Sequence, residues 1–225
     1  MHKIIAQEIM DLLHRSFPEA GIAVSGSVAA GTYKPDSDID LLFAHKEYQH
    51  PWCIHFTYKG YEISLFSFHI PTFKREKDQM TGHYFAMPIS YIYHARIAYD
   101  PLCLIEDLKE EVDYILRKRR ILRNELADLR RKQLYDLFRR PARSIWEQKI
   151  VTDKMIDAIV SVFFLSRHAD KLISKEETGE VFSIIDQENK ELSAILNQCL
   201  PWHRNSYQIL TENSTRILAA LDRSD

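Results

Sequence analysis

A chain of 225 residues is long enough for one large domain or for two small domains that share an interface. Hydrophobic residues make up 45% of it and charged residues 28%, and the net charge of −2 gives no electrostatic reason to expect a nucleic-acid or membrane partner. The absence of a long apolar run and the presence of only three, widely spaced cysteines lead us to expect a cytoplasmic protein without disulfides.

The chain opens with alternating helix and strand patterns. Apolar residues at helical spacing over residues 4–17 predict a helix, and residues 21–25 predict a short strand. The following stretch, up to residue 43, predicts a tight Gly-Ser turn, a short helix, a loop that contains Pro35 and a second strand.

Two carboxylates open this second strand. Side chains alternate between the faces of a strand, so Asp38 and Asp40 point the same way, whereas Ile39 and Leu41 point into the core. Two acids on one face repel each other. The alternative interpretation, an ordinary polar start of a strand, gains nothing from this repulsion. A divalent cation removes the repulsion, and Mg²⁺ typically binds one or two protein carboxylates together with substrate phosphates.

A possible phosphate cradle precedes the two acids. Gly26 allows the backbone to approach a ligand closely, and Ser27 lies where a helix N-terminus presents free N–H groups to a phosphate. A phosphate cradle and an acid pair a few residues apart predict metal-assisted attack on a nucleotide phosphate.

The pattern Gly26-Ser27, a short spacer and Ser37-Asp38-Ile39-Asp40-Leu41 resembles the signature of the DNA polymerase β-type nucleotidyltransferase superfamily. The loop as a whole resembles more narrowly that of the streptomycin/spectinomycin (aminoglycoside) adenylyltransferases. Small antitoxin-type relatives often carry Arg where this chain has Ala30. The resemblance implies ATP as nucleotide donor, Mg²⁺ on Asp38 and Asp40, and contacts to the nucleotide from Gly26, Ser27 and Ser37.

Residues 52–58 and 61–68 predict a β-hairpin around Lys59-Gly60. Glu62 projects from its second strand and lies beside the Asp pair if the hairpin continues the sheet. There it would either complete the metal site or take the proton of an attacking hydroxyl, and the alternative is an ordinary exposed glutamate. The segment Tyr61-Glu62-Ile63-Ser64 resembles the adenylyltransferase segment whose glutamate is the family's base.

The remainder of the chain predicts the fold class. Pro71 should end the hairpin, residues 72–80 should form a short helix, and the apolar run over 89–100 should finish the sheet. From Leu104 onward the periods are helical. We therefore expect an α+β fold, with a nucleotidyltransferase catalytic domain (a small mixed β-sheet flanked by helices) over residues 1–101 and an all-helical domain over residues 102–225 that closes the nucleotide and acceptor cleft.

A second resemblance lies in the helical half. The helix Asp157–Arg167, followed by Lys175, resembles the adenylyltransferase helix that ends in Leu-x-Arg and precedes a lysine. The resemblance implies that Lys175 and Arg167 contact the nucleotide and that Asp157 contacts the acceptor. A surface lysine and a structural aspartate remain equally open interpretations.

The helical half also carries many basic residues between positions 117 and 143. They would suit a nucleic acid, but the apolar positions between them favour a solvated basic face beside a buried stripe. The predicted stripe consists of Leu116, Ile121, Leu122, Leu126 and Leu129.

The expected function is Mg²⁺-dependent transfer of AMP from ATP to a hydroxyl of a small molecule, with antibiotic resistance as one biological outcome. The partners are a nucleoside triphosphate and a small acceptor, without membrane or nucleic acid. One alternative is a nucleotidyltransferase that AMPylates a protein partner, as in toxin–antitoxin pairs. Another is a catalytically silent nucleotide-binding module, which would have no reason to keep three acids together.

Overall fold

The computed structural model describes residues 1–47, 52–82, 87–169, 178–200 and 205–222. The chain divides into two compact units. The described part of the first comprises residues 1–47, 52–79 and 87–115, and that of the second comprises residues 80–82, 116–169, 178–200 and 205–222. The first unit contains the sheet and the second is helical, so the expected α+β fold class is confirmed.

The first hundred residues contain both helices and strands, and the sequence predicts most of these elements. Lys59 and Gly60, both at positive φ, form the two-residue turn of the predicted hairpin, which is the geometry of a type I′ turn. In chain order the elements are α1 (His2–Ser16), β1 (Gly21–Val24), α2 (Gly26–Ala30), β2 (Ile39–His45), β3 (Trp52–Tyr58), β4 (Tyr61–His69), α3 (Ile70–Thr81), α4 (Met87–His94) and β5 (Arg96–Tyr99).

Within the described residues these strands form one five-stranded sheet in the order β3-β4-β2-β1-β5. Strands β2 and β4 run parallel, with Ile39 opposite Ile63, and the other neighbours are antiparallel. The hairpin therefore continues the sheet directly beside the strand of the Asp pair. This is the arrangement that the sequence required for Glu62 to lie near that pair.

One face of the sheet is buried against α1. Ile5 and Ile9 of the helix share a core cluster with residues 39 and 41 of β2 and with residues 63 and 65 of β4. Odd-numbered residues of β2 and β4 thus face this core. Positions 38, 40, 62 and 64 belong to the opposite face, where the chemistry is expected.

The short helix predicted over residues 72–80 is confirmed as α3, which begins two residues earlier and includes Pro71 in its first turn, because a helix start tolerates the missing N–H of proline. Another prediction in this region is wrong. The apolar run over residues 89–100 does not form one strand. Its first part lies in α4, and only β5 joins the sheet, beside β1. A short apolar run does not by itself distinguish a buried helix from a strand.

The second unit is built around the long helix α7. Met155, Ile159 and Phe163 of α7 are fully buried and share one core with residues of α6, α8, α9, α10 and α11. Ser144 and Glu147 form a capping box at the start of α7. The helices from residue 104 onward are α5 (Leu104–Ile121), α6 (Arg123–Arg139), α7 (Ile145–Arg167), α8 (Thr178–Glu188), α9 (Lys190–Asn197), α10 (Ser206–Glu212) and α11 (Ser214–Asp222).

The buried stripe of α5 and α6 differs from the prediction. Ile121 is 76% exposed and Leu129 is 53% exposed, whereas Arg119 and Arg130 are buried. The Nε of Arg119 donates to the carbonyl of Thr81, and Arg130 donates to that of Gly82, so these guanidinium groups bind the C-terminal end of α3 and the residue that follows it. Most of the other basic residues between 117 and 143 lie on the exposed face, as expected. No described helix is both long and apolar enough to cross a membrane.

Candidate active site

The backbone at Gly26 lies directly against the carboxylate of Asp40. The N–H of Ser25 donates to the carbonyl of Asp40 at 2.8 Å, which joins the end of β1 to β2. Gly26 has φ of +59°, and a Cβ placed on it would overlap with Asp40 Oδ2. The Asp40 carboxylate therefore occupies the space that any other side chain at position 26 would need.

Replacing Gly26 by alanine is expected to displace Asp40. Gly31 is a matched control, because it also has positive φ (+83°) but nothing lies within 4 Å of the point that a Cβ would occupy there. Both variants carry the backbone strain of about 1–2 kcal/mol, and only Gly26→Ala carries the added overpacking cost of about 1–3 kcal/mol. Chemical denaturation measures the difference. Equal free energies of unfolding in the two variants would contradict this geometry.

Asp40 is itself buried, with 3% of its surface exposed. The hydroxyl of Tyr91, on α4, donates to Asp40 Oδ1 at 3.0 Å. Burial, together with the negative charges of Asp40 and Asp38, raises the pKa of Tyr91 well above its usual value, so the phenol keeps its proton and remains a donor. Ser25 Oγ donates to the carbonyl of Tyr91 at 2.7 Å and fixes this helix to the end of β1.

The Tyr91 contact is expected to contribute measurably to stability. Tyr91→Phe removes a hydrogen bond to a charged group, which costs about 1.5–3 kcal/mol. Tyr93, on the same helix, is 46% exposed, so Tyr93→Phe should change the free energy of unfolding by less than about 0.5 kcal/mol. Urea denaturation of both variants tests this, and indistinguishable midpoints would show that Tyr91 does not stabilise Asp40.

Asp38 lies one residue before β2, on the same face of the sheet. Its Oδ2 accepts from Ser64 Oγ at 3.4 Å, across the parallel pair of β2 and β4. Ser64 is buried, and its oxygen lies 2.9 Å from Nδ1 of His55 on β3. The negative charges of both Asp40 and Asp38 contribute to the raised pKa of Tyr91, with the larger contribution from Asp40.

Glu62 lies on the neighbouring strand, one residue before the pair Ile39 and Ile63. It is exposed, and its Oε1 accepts from the hydroxyl of Thr57 at 2.8 Å. An exposed carboxylate beside the acid pair is accessible to a substrate. Its assignment as base or as metal ligand stays a prediction.

Ser27 and Ser37 differ in how their hydroxyl groups are used. The Ser27 hydroxyl is buried and has no hydrogen-bond partner within the part of the chain that the structure describes. The Ser37 hydroxyl accepts from the backbone N–H of Lys34 at 2.9 Å, which closes the loop before β2. A buried hydroxyl without a partner is costly, so Ser27 is the more strongly indicated ligand contact of the two.

These residues fit a Mg²⁺ ion that is shared with a phosphate. In the described ranges no three ligating side chains are close enough to form an all-protein metal site. Mg²⁺ does not need one, because it commonly uses one or two carboxylates and completes its shell with substrate phosphates and water. Asp38 and Asp40 would provide that pair, and the Gly26 backbone lies against the Asp40 carboxylate.

The other predicted residues lie in the helical unit or outside the described residues. Asp157 Oδ2 is 3.8 Å from the guanidinium of Arg130, and both line a cavity of about 380 Å³. Arg167 lines a different cavity, of about 980 Å³, and its guanidinium is 3.9 Å from Glu188 Oε2. Lys175 lies outside the described residues. The roles predicted for these residues stay predictions.

Sequence reasoning missed Tyr91 and His55. Tyr91 lies 51 residues after Asp40, inside an apolar run that looked like a strand. His55 lies among the exposed and half-buried residues of β3 and belongs to no recognised motif. A partial signal was present, since alternation along the hairpin places His55 and Ser64 on the side of Glu62 once their register is known.

Comparisons with known proteins identify the family of the chain. The family model described as nucleotidyltransferase domain matches residues 6–134, which is more than half of the chain. Among solved structures, the chain is similar to a nucleotidyltransferase-like protein from Exiguobacterium sibiricum 255-15, with a TM-score of 0.46 and 12% identity over 96% of this chain and 74% of that one. No curated protein sequence matches the chain.

Proposed function

The chain belongs to the nucleotidyltransferase domain family, and on this premise we propose that it transfers AMP from ATP to a hydroxyl of a small molecule in a Mg²⁺-dependent reaction. One observation carries the proposal. Asp38 and Asp40 belong to the face of the sheet opposite α1, Gly26 lies against Asp40 without room for a side chain, and the next residue, Ser27, has a buried hydroxyl without a partner among the described residues. This combination suits the phosphates of a nucleotide better than it suits a stable strand.

The reaction balances with the groups at hand. The acceptor oxygen forms a bond to the α-phosphorus, the bond from that phosphorus to the β-phosphate oxygen breaks, and pyrophosphate leaves. Glu62 takes the proton of the acceptor hydroxyl, which its exposed carboxylate is able to reach. A bound Mg²⁺ would supply neutralisation of the phosphate charge.

The remaining residues bind and orient. Asp38 and Asp40 would hold the metal, and Tyr91 keeps Asp40 in place by donating to it. Ser27 would donate to a phosphate oxygen, with Gly26 and Ser37 shaping the loop around it. In the helical region, the resemblance assigns Lys175 and Arg167 to the nucleotide and Asp157 to the acceptor, and we propose that residues 102–225 select that acceptor.

The chemical class of the acceptor follows from resemblance alone. The loop 26–42 and the segment 61–64 resemble the aminoglycoside adenylyltransferases, so a polyhydroxylated amine is our first choice. The pocket residues of a family vary independently of its phosphate chemistry.

The test is an incubation of the protein with each of the four nucleoside triphosphates, Mg²⁺ and a panel of aminoglycosides and cell metabolites. We expect one acceptor to gain the mass of a nucleoside monophosphate, with ATP the best donor, and Asp40→Asn to abolish the gain. Mass gain on a co-purified protein instead would identify a protein acceptor. Binding of nucleotide without transfer to any small molecule or protein of a cell extract would contradict the proposal.

A further inference from the structure

We propose that His55 is a positioning residue, which holds the carboxylate of Asp38 in its ligand-binding orientation through the hydroxyl of Ser64. The inference rests on the proposed function, because it assigns to His55 a part in binding the metal and the nucleotide. It adds a residue from the edge strand β3 to a site otherwise built from β1, β2, α2, α4 and β4.

The register of three adjacent strands places these side chains in a row. His55 is opposite Ser64 in the antiparallel pair of β3 and β4, and Ser64 is opposite Asp40 in the parallel pair of β4 and β2. Asp38 precedes Asp40 by two positions and belongs to the same face. The resulting contacts are His55 Nδ1 to Ser64 Oγ at 2.9 Å and Ser64 Oγ to Asp38 Oδ2 at 3.4 Å.

The positions of the protons follow from what each group can donate. An ionised carboxylate only accepts, so the single proton of the Ser64 hydroxyl points to Asp38. The Ser64 oxygen then accepts from His55, which requires the imidazole to carry a proton on Nδ1. We infer this tautomer from the hydrogen-bond network. His55 thus polarises the serine hydroxyl, and the serine holds the carboxylate oxygen.

The two sides of the imidazole lead to different partners. Nε2 of His55 is 3.4 Å from the sulfur of Cys53, which is exposed. This second contact leads away from the acid pair. Because His55 is itself exposed, water could satisfy its nitrogens, and the stability of the strand does not require the contact with Ser64.

Groups that orient a metal ligand affect binding although they do not touch the metal. Their removal typically costs about 10–100-fold in metal affinity or activity. At this site the effect should appear in the Mg²⁺ concentration that ATP binding requires. Asp38 must point toward Asp40, despite the repulsion between the two negative charges, if both are to bind the metal. Packing contributions would appear in thermal stability instead.

The experiment measures ATP affinity by calorimetry over a range of Mg²⁺ concentrations, without acceptor, in the full-length protein. His55→Ala removes the donor, Ser64→Ala removes the link, and His55→Asn keeps a donor close to the position of Nδ1. Cys53→Ser is the matched control on the other side of the ring. Melting temperatures of all variants are recorded in parallel.

We expect His55→Ala and Ser64→Ala each to raise the required Mg²⁺ concentration by about 10–100-fold. His55→Asn should recover most of this loss, and Cys53→Ser should behave as wild type. The double variant His55→Ala with Ser64→Ala should require no more Mg²⁺ than Ser64→Ala alone, because both substitutions act through one chain of contacts.

Two results would overturn the inference alone. In one, the wild-type protein binds ATP and His55→Ala requires the same Mg²⁺ concentration for that binding. In the other, the weaker binding of His55→Ala is not recovered by His55→Asn and parallels a fall in melting temperature. A wild-type protein whose ATP binding does not depend on Mg²⁺ would overturn the proposed function, and this inference with it.

Discussion

Replacing Asp40 by asparagine is expected to remove Mg²⁺-dependent binding of ATP and turnover together. The side chain is buried between the Gly26 backbone and the hydroxyl of Tyr91, so asparagine fits the same space with little change of packing. The substitution removes one of the two negative charges that bind the metal in the proposed site. A loss of several kcal/mol of metal-mediated stabilisation corresponds to about 10²–10⁴-fold in turnover.

Asp36→Asn is the matched control for this substitution. Asp36 lies in the same loop, two residues before Asp38, and is exposed. It should therefore retain wild-type ATP affinity and turnover. Calorimetry with ATP and Mg²⁺, followed by kinetics on the identified acceptor, measures both quantities, and an Asp40→Asn protein that binds ATP·Mg²⁺ as tightly as wild type would remove Asp40 from the metal site.

Replacing Glu62 by glutamine is expected to have the second large effect, and of a different kind. Glutamine keeps the size of the side chain and its contact with Thr57, but it cannot accept the proton of the acceptor. In the proposed site Asp38, Asp40 and the Gly26-Ser27 loop hold the nucleotide without Glu62, so ATP affinity should stay nearly unchanged. Turnover should fall by about 10²–10⁴-fold, the usual contribution of a general base.

The two outcomes that would contradict this role lead to different conclusions. If Glu62→Gln keeps nearly full turnover, Glu62 is not the base, and Asp157 becomes the next candidate. If it loses ATP·Mg²⁺ binding as severely as Asp40→Asn does, Glu62 is chiefly a metal ligand. Glu19→Gln, an exposed glutamate before β1, controls for the loss of one surface charge.

The sequence predicted the parts of the site that depend on local geometry. Alternation along one strand was enough to assign Asp38 and Asp40 to one face, and the hairpin turn at Lys59-Gly60 needed only residues that tolerate positive φ. A glycine next to a serine before a buried strand was enough to predict the loop. Each of these features is encoded within about twenty residues of chain.

The contacts that complete the site could not be predicted in this way. The hydrogen bond from Tyr91 to Asp40 depends on where α4 packs, and an apolar run of that length suits a helix as well as a strand. The link from His55 depends on the registers of two strand pairs at once. The contact of Tyr91 leaves no pattern in a single sequence, and alternation along the hairpin indicates only that His55 and Ser64 share a face.

The basic residues of α5 and α6 illustrate a related limit. Periodicity assigned the apolar residues to the core, yet Arg119 is buried and Ile121 is exposed. The burial of Arg119 is tolerated because backbone carbonyls at the C-terminal end of α3 accept from its guanidinium, which offsets the cost of desolvation. A hydrophobicity pattern contains no information about such partners.

We propose that a nucleoside monophosphate is transferred from this face of the sheet. ATP labelled either at the α-phosphate or at the γ-phosphate tests this, with Mg²⁺ and the acceptor found in the screen, for the wild-type protein and for Asp40→Asn. We expect the wild-type protein to attach the α-label covalently to the acceptor and to release the γ-label in pyrophosphate, and we expect Asp40→Asn to do neither. Attachment of the γ-label, or transfer that survives in Asp40→Asn, would contradict this proposal.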